Sequence, residues 1–257
     1  MRSLRSSLKS LVNAALDLLY PNFCGVCGSF LFKEHHFVAC KECWRENFVP
    51  YIGEKCSVCG HPLEFLPGAP GICKRCLEKK RTFNFDSVFY FTLYRGLPEF
   101  AIKELKFSRL KPVAQVIGET ISGHFLQVLS RLRVDLIVPV PVSRETLRER
   151  GFNQTEEILK GARIPYLPLL QKPFTPEKQS TLSFKERSQN VRGVFRIKKE
   201  FKVELLGKSV LIFDDVFTTG ATANEIAGLL KRYGARKVYV YTVCYTPFNS
   251  LSEKITG

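Results

Sequence analysis

The 257-residue sequence contains no run of 18 apolar residues, so a helix spanning a membrane is not expected. It also lacks the small-residue cleavage site of a secretory leader. MRSLRSSLKSLVNAALDLLYP opens with basic residues and an apolar stretch, but Asp17 interrupts that stretch. Leu8, Leu11, Val12, Ala15, Leu18 and Leu19 instead share one face at helical spacing. This predicts an amphipathic helix over residues 1–20, packed on the protein itself or turned toward a partner helix or a membrane surface. Acidic residues are in short supply: 24 Asp and Glu stand against 39 Lys and Arg, a formal net charge of +15. The excess is steepest in residues 141–202, with 14 basic and 7 acidic side chains. Such a balance suits polyanions (nucleic acid, a polyphosphate, an anionic membrane) or is simply a solvated surface.

Cysteine, by contrast, is plentiful and ordered. Eight of the nine cysteines form four Cys-x-x-Cys pairs, CGVC, CKEC, CSVC and CKRC, at near-even intervals. Two such pairs supply the four thiolates that a structural zinc ion takes tetrahedrally. Cys24, Cys27, Cys40, Cys43, Cys56, Cys59, Cys73 and Cys76 are therefore expected to hold two zinc ions, bracing a region (residues 21–82) with little core of its own. Sequential sites would use the first four and the last four, whereas a cross-braced arrangement would alternate pairs; short loop closure favours the sequential form. Disulfides and redox thiols are the alternatives. The lack of an export signal speaks against the first and the repeated spacing against the second. His35, His36 and His61 are surplus to eight thiolates and are expected at the surface, and Cys244 reads as core.

Residues 83–257 alternate strand and helix patterns. Residues 83–94 read as a strand, and helical periodicity follows, broken near Lys111-Pro112. Leu136–Val140 and Val210–Phe213 are apolar runs suited to strands buried on both faces, and KVYVYTVCY is a further strand after a helix. The class is α/β, with a central parallel sheet flanked by helices. Lys103, Lys106, Arg109 and Lys111 surround Phe107 at the helix break. Positive charge beside an aromatic ring suits single-stranded nucleic acid, the alternative being a solvated helix end. Residues 171–193 are polar, basic and Pro-containing, and read as a surface excursion.

Residues 210–222, VLIFDDVFTTGAT, put two carboxylates at the end of a strand, just before a helix. Ligands bind at that edge of open α/β sheets. Thr218, Thr219, Gly220, Ala221 and Thr222 offer hydroxyls and backbone N–H groups at a positive helix end, which suits a phosphate. Asp214 and Asp215 would repel that phosphate but accept from sugar hydroxyls. The combination fits a ribose bound through its hydroxyls, with its phosphate in the adjoining loop. A second strand end, after Val140, carries Ser143, Arg144, Arg148, Arg150 and Asn153 at the same edge.

VLIFDDVFTTGAT resembles the signature of the type I phosphoribosyltransferases, whose ligand is phosphoribosyl pyrophosphate (PRPP) bound with magnesium. The resemblance implies that Asp214 and Asp215 hold the ribose 2′ and 3′ hydroxyls and that residues 218–222 hold the 5′-phosphate. It further implies that Val142, Ser143 and Arg144 face pyrophosphate, and that Asn190 and Arg192 end a loop closing over PRPP. Thr218 stands where the purine-base enzymes usually carry an Asp, which disfavours a purine acceptor.

LDLLYP, the four Cys-x-x-Cys pairs, IKELKFS, VPVPVSRETLRERGFNQ, RSQNVRGVF and VLIFDDVFTTGAT, in that order, resemble the ComF proteins of bacterial competence across nearly the whole chain. This implies a zinc-ribbon region (21–82) followed by a phosphoribosyltransferase-like domain (83–257), in a cytoplasmic protein that handles single-stranded DNA with a helicase-like translocase. Lys41, Lys55, Lys74, Arg75, Lys79, Lys80 and Arg81 would make the ribbons part of that grip. An active PRPP-dependent transferase and a PRPP-sensing regulator are the alternatives. The first is weakened because no residue stands out as the base for an acceptor.

Overall fold

The computed structural model describes residues 23–31, 38–65, 67–78, 80, 82–172, 193–198, 201 and 205–248. The expected N-terminal helix, His35, His36, Lys79, Arg81, Asn190 and Arg192 lie outside these residues. Two short helices, α1 (Lys41–Asn47) and α2 (Lys74–Glu78), each carry one thiol of a Cys-x-x-Cys pair. After them come β1 (Ser87–Leu93), α3 (Leu97–Phe107), α4 (Pro112–Leu132), β2 (Leu136–Pro139), α5 (Arg144–Arg150) and α6 (Gln154–Gly161). A two-stranded antiparallel ribbon, β3 (Leu170–Gln171) with β4 (Arg196–Ile197), precedes β5 (Ser209–Phe217), α7 (Ala221–Arg232) and β6 (Lys237–Tyr245).

The four long strands form the expected parallel sheet, in the order β1-β6-β5-β2. Its two faces are sorted by strand alternation. Leu211, Phe213 and Tyr241 pack under α3, α4 and α6, while Val210, Ile212, Val238 and Val240 pack under α7. Both faces are apolar because helices cover both, which is why these strands read as continuous apolar runs. Gly118 and Gly161 let α4 and α6 touch, since a Cβ on either would lie 2.6 Å or less from the other helix's backbone. Among the described residues, no helix is long and apolar enough to cross a membrane.

The alternation slips by one residue near the carboxyl ends of three strands. Opposite Val243 the ladder skips a residue on both sides, at Phe91 and at Asp215. Beyond that level, Leu93, Phe217 and Tyr245 turn to the α7 face, where plain alternation would have sent them to the α4 face.

The zinc-ribbon region is built into this frame. Trp44 and Phe48, stacked at 4.7 Å, enter the core under α3 and α4, and the Trp44 indole donates to Thr120 Oγ1 of α4 at 2.8 Å. The Tyr51 amide donates to the Phe91 carbonyl at the outer edge of β1, covering an edge that would otherwise be open. His61 departs from the expectation of a surface position. It is fully buried against the rings of Phe248 and Tyr245, because the Cys59–His61 turn is pressed onto the end of β6.

Candidate ligand cleft and zinc sites

The eight paired thiols gather in the sequential arrangement. Cys24, Cys27, Cys40 and Cys43 form one group and Cys56, Cys59, Cys73 and Cys76 the other, each with all sulfurs within 4.8 Å of one another. Two of the separations are 3.9 Å (Cys27 to Cys40) and 3.7 Å (Cys59 to Cys73). A zinc–sulfur bond of about 2.3 Å implies a tetrahedral edge of about 3.8 Å, which these two separations match, so both groups suit the ion. All nine cysteines are free of disulfides. With four thiolates apiece the sites are closed, and zinc there is structural. Cys244 is fully buried in the core, as its apolar surroundings suggest.

The candidate ligand edge lies at the carboxyl ends of β2 and β5, neighbours in the sheet. The chain leaves β2 toward the α4 and α6 face and leaves β5 toward α7, the strand-end arrangement at which open α/β sheets bind ligands. The strand β5 runs four residues past Phe213, because β6 continues to pair with it as far as Tyr245. Asp214 and Asp215 therefore lie inside a strand rather than after one, and the pleat separates them. Asp214 lines a small cleft together with Thr218, Thr219, Gly220, Ala221, Thr222 and Thr242. Asp215 turns to the other face, where its Oδ2 meets Lys106 Nζ at 2.5 Å.

The two carboxyls are consequently shifted in opposite directions. Burial, reinforced by the neighbouring Asp215 charge, pushes the Asp214 carboxyl well above its usual range. Burial works in the same direction at Asp215, but the Lys106 ammonium outweighs it and holds that carboxyl below the ordinary value. Arg150, at the end of α5, adds a second positive charge near Asp215, and its guanidinium donates to Gln154 Oε1.

The loop is shaped by Gly220, the N-cap of α7, whose φ of +78° favours glycine. A Cβ there would also lie 2.6 Å from the Phe217 ring and 3.2 Å from that of Phe83. The helix begins without a side-chain cap at Gly220 and without an acid in its first turn, the electrostatics an anion needs.

Of the other candidates, Ser143 is buried and caps α5, accepting from the Thr146 amide at 3.1 Å, while Arg144 is exposed and Val142 half-buried. Asn153 of the RERGFNQ stretch and the nearby Thr155 both donate to the Val140 carbonyl, anchoring the chain just past β2. At the helix break, Phe107 is 76% exposed and Arg109 is exposed. Lys103 and Lys111 pair with Glu99 and Glu157, and Lys106 points inward to Asp215. In the ribbons, Lys55 lies over the Tyr90 ring at 4.1 Å, and burial lowers its pKa to about 8; Arg75 lies over Phe248. The Lys106–Asp215 pair, Thr242 and the aromatic floor of the loop were not foreseen. The IKELKFS stretch held the only sequence signal, a lysine at the end of an amphipathic helix.

A model of the double zinc ribbon domain matches residues 15–77. The chain is 30% identical over 244 residues to the "DNA utilization protein YhgH" of Escherichia coli (strain K12), covering 89% of this chain and 99% of that one. It is 31% identical over 140 residues to "Competence protein ComFC" of Streptococcus pneumoniae (strain ATCC BAA-255 / R6), covering 53% and 60%. It is 26% identical over 214 residues to "Competence protein F" of Haemophilus influenzae (strain ATCC 51907 / DSM 11121 / KW20 / Rd), covering 79% and 88%. Among solved structures, an allosteric regulatory enzyme of purine biosynthesis matches at 21% identity and a TM-score of 0.36, over 55% of this chain and 30% of that one. A hypoxanthine phosphoribosyltransferase from Staphylococcus aureus matches at 15% identity and a TM-score of 0.32, over 53% and 65%.

Proposed function

Since the chain belongs to the ComF family, we propose that it handles single-stranded DNA during natural transformation and binds PRPP or a related phosphorylated ribose in the cleft beside β5. The observation that carries the ligand reading is that Asp214 shares one cleft with the whole Thr218–Thr222 loop. A 5′-phosphate would take the amides at the start of α7 and the threonine hydroxyls, while the ribose hydroxyls would reach the carboxyl of Asp214. In this reading Asp215 acts once Lys106 yields part of its contact, and magnesium arrives with the pyrophosphate. The functions named for two relatives, DNA utilization and competence, support the DNA half.

The DNA surface in this reading is the α3 end, with Phe107 as a stacking platform and Arg109, Lys103 and Lys111 as phosphate contacts. The ion pairs of Lys103 and Lys111 lie at half-exposed positions, where such pairs contribute little, so a phosphate chain can displace them. Lys106 drops out of this set because it serves the cleft. A helicase-like translocase and a cytoplasmic setting complete the proposal.

Calorimetric titration of the full chain with Mg-PRPP, nucleotides and short single-stranded DNA tests both halves, in wild type and in the Asp214→Ala/Asp215→Ala variant. The expected result is PRPP binding that the variant abolishes, and DNA binding that weakens steeply with salt and survives the variant. No heat with PRPP ends the ligand reading, and no DNA binding at low salt ends the other. A PRPP-dependent transferase is the second reading. One observation favours it: Asp214, whose pKa burial raises, lines the cleft and is a candidate to carry a proton. Pyrophosphate release with some acceptor is its signature.

A further inference from the structure

The second zinc site and the Thr218–Thr222 loop are joined by two aromatic routes. In the first, the Tyr245 hydroxyl donates to the carbonyl of Cys59 at 3.2 Å. The Tyr245 ring stacks on Phe217 at 5.2 Å, with 12° between the planes, and the Phe217 ring lies directly against Gly220 at the turn of the loop. In the second, Phe83 packs on the Cys56, Cys59, Cys73 and Cys76 group and also approaches Gly220. The slip in alternation creates the first route, since without it Phe217 and Tyr245 would face α4. The first zinc site has no such connection among the described residues; Cys24, Cys40, Cys43 and Trp44 pack with the opposite core.

We infer that the second zinc site positions the ligand loop: with Cys56, Cys59, Cys73 and Cys76 around the ion, Tyr245, Phe217 and Phe83 press Gly220 into its left-handed conformation and so set the loop for an anion. Tyr245 and Phe217 are positioning residues. The part of the inference that concerns ligand affinity rests on the phosphorylated-ribose reading; the part that concerns loop conformation does not. Coupling of this kind is reciprocal, so a ligand that orders the loop also slows loss of the second zinc and leaves the first unchanged.

The test is hydrogen exchange of the zinc-loaded full chain, read at the Ala221 and Asn224 amides, which donate to Thr219 Oγ1 and the Gly220 carbonyl. Tyr245→Phe removes only the hydroxyl and preserves the core. It is expected to speed exchange at these two amides by about fivefold, the lower end of coupling between linked sites, while the middle of α7 stays protected. Chelation continued until the second site is also emptied should have the same effect, and Cys24→Ser in the first site should leave the loop unchanged. In parallel, Mg-PRPP should slow zinc transfer from the second site to a chromogenic chelator by a similar factor. Unchanged loop exchange after both Tyr245→Phe and second-site chelation overturns the inference, as does an equal response to Cys24→Ser. If loop exchange responds as expected but the wild type binds no PRPP, the ligand reading fails and the brace stands.

Discussion

The two zinc sites use the same four-cysteine chemistry in unlike surroundings. In the first, Cys27 is exposed and Cys40 half-buried; in the second, all four thiols are buried. The first is anchored by α1, whose Trp44 and Phe48 enter the core under α3 and α4. The second is wedged against the ends of β1 and β6, next to the ligand edge. Two motifs that look interchangeable in sequence thus support opposite faces of one sheet, and only one of them adjoins the cleft. A ligand atom at a solvent-facing corner can be replaced by water, whereas a buried one leaves a hole and an uncompensated charge.

The largest expected contrast is between Cys59→Ser and Cys27→Ser. Structural zinc is worth on the order of 10 kcal/mol where folding depends on it. Cys59→Ser should therefore lose one zinc per chain and a large part of the thermal stability. Cys27→Ser should retain most of its metal, measured by atomic emission, with a smaller drop in melting temperature. Equal losses would break the comparison.

Next comes Trp44→Ala, expected to cost about 3–5 kcal/mol in urea unfolding, as for other large aromatics removed from a core. Trp44 is also the chain's single tryptophan and 4% exposed, so its fluorescence reports the first site alone. A chelator should shift that emission to the red before the second zinc is released; the reverse order would show that burial of the thiols does not govern access.

Lys106→Met sharpens the comparison by disturbing the cleft with both ribbons intact. It strands a buried carboxylate and should cost about 2–3 kcal/mol at neutral pH, below the usual figure for a broken buried pair because Lys106 is 22% exposed. Two zinc ions should remain. The Asp215 carboxyl has a lowered folded-state pKa, so its pair stabilises the protein above the unfolded carboxylate value, and that contribution is lost as pH falls through the folded value. The gap between wild type and variant should thus begin to close only below pH ~4, the unfolded carboxylate value, and continue to close as pH falls through the lower folded value. A gap that is constant with pH would assign the loss to packing instead.

The smallest effect is Ser143→Ala, about 1 kcal/mol for a lost N-cap, with both metals kept. If PRPP affinity also falls, Ser143 does more than cap α5.

Much of this was legible in the residues. Cysteine spacing pointed to two four-thiol sites, because a tetrahedral ion constrains short loops strongly. Apolar runs at Leu136–Val140 and Val210–Phe213 announced strands covered on both sides. The Thr218–Thr222 loop sat where strand and helix patterns met, and Gly220 stands at its turn. His61 misled, since an imidazole surplus to eight thiolates says nothing about which strand the turn will press upon.

What local pattern determined here is what acts over a few residues: thiol pairs, apolar periodicity, caps and turns. How far a strand extends depends on its neighbour, and β6 draws β5 on through the two acids. Only that pairing sends Asp214 to the cleft and Asp215 to Lys106, a residue 109 positions earlier in the chain. The one-residue slip beside Val243 likewise places Phe217 and Tyr245 between a zinc site and a loop. The opposite pKa shifts and the orientations of the two acids were decided by contacts across the sheet, because burial and a distant cation act through space rather than along the sequence.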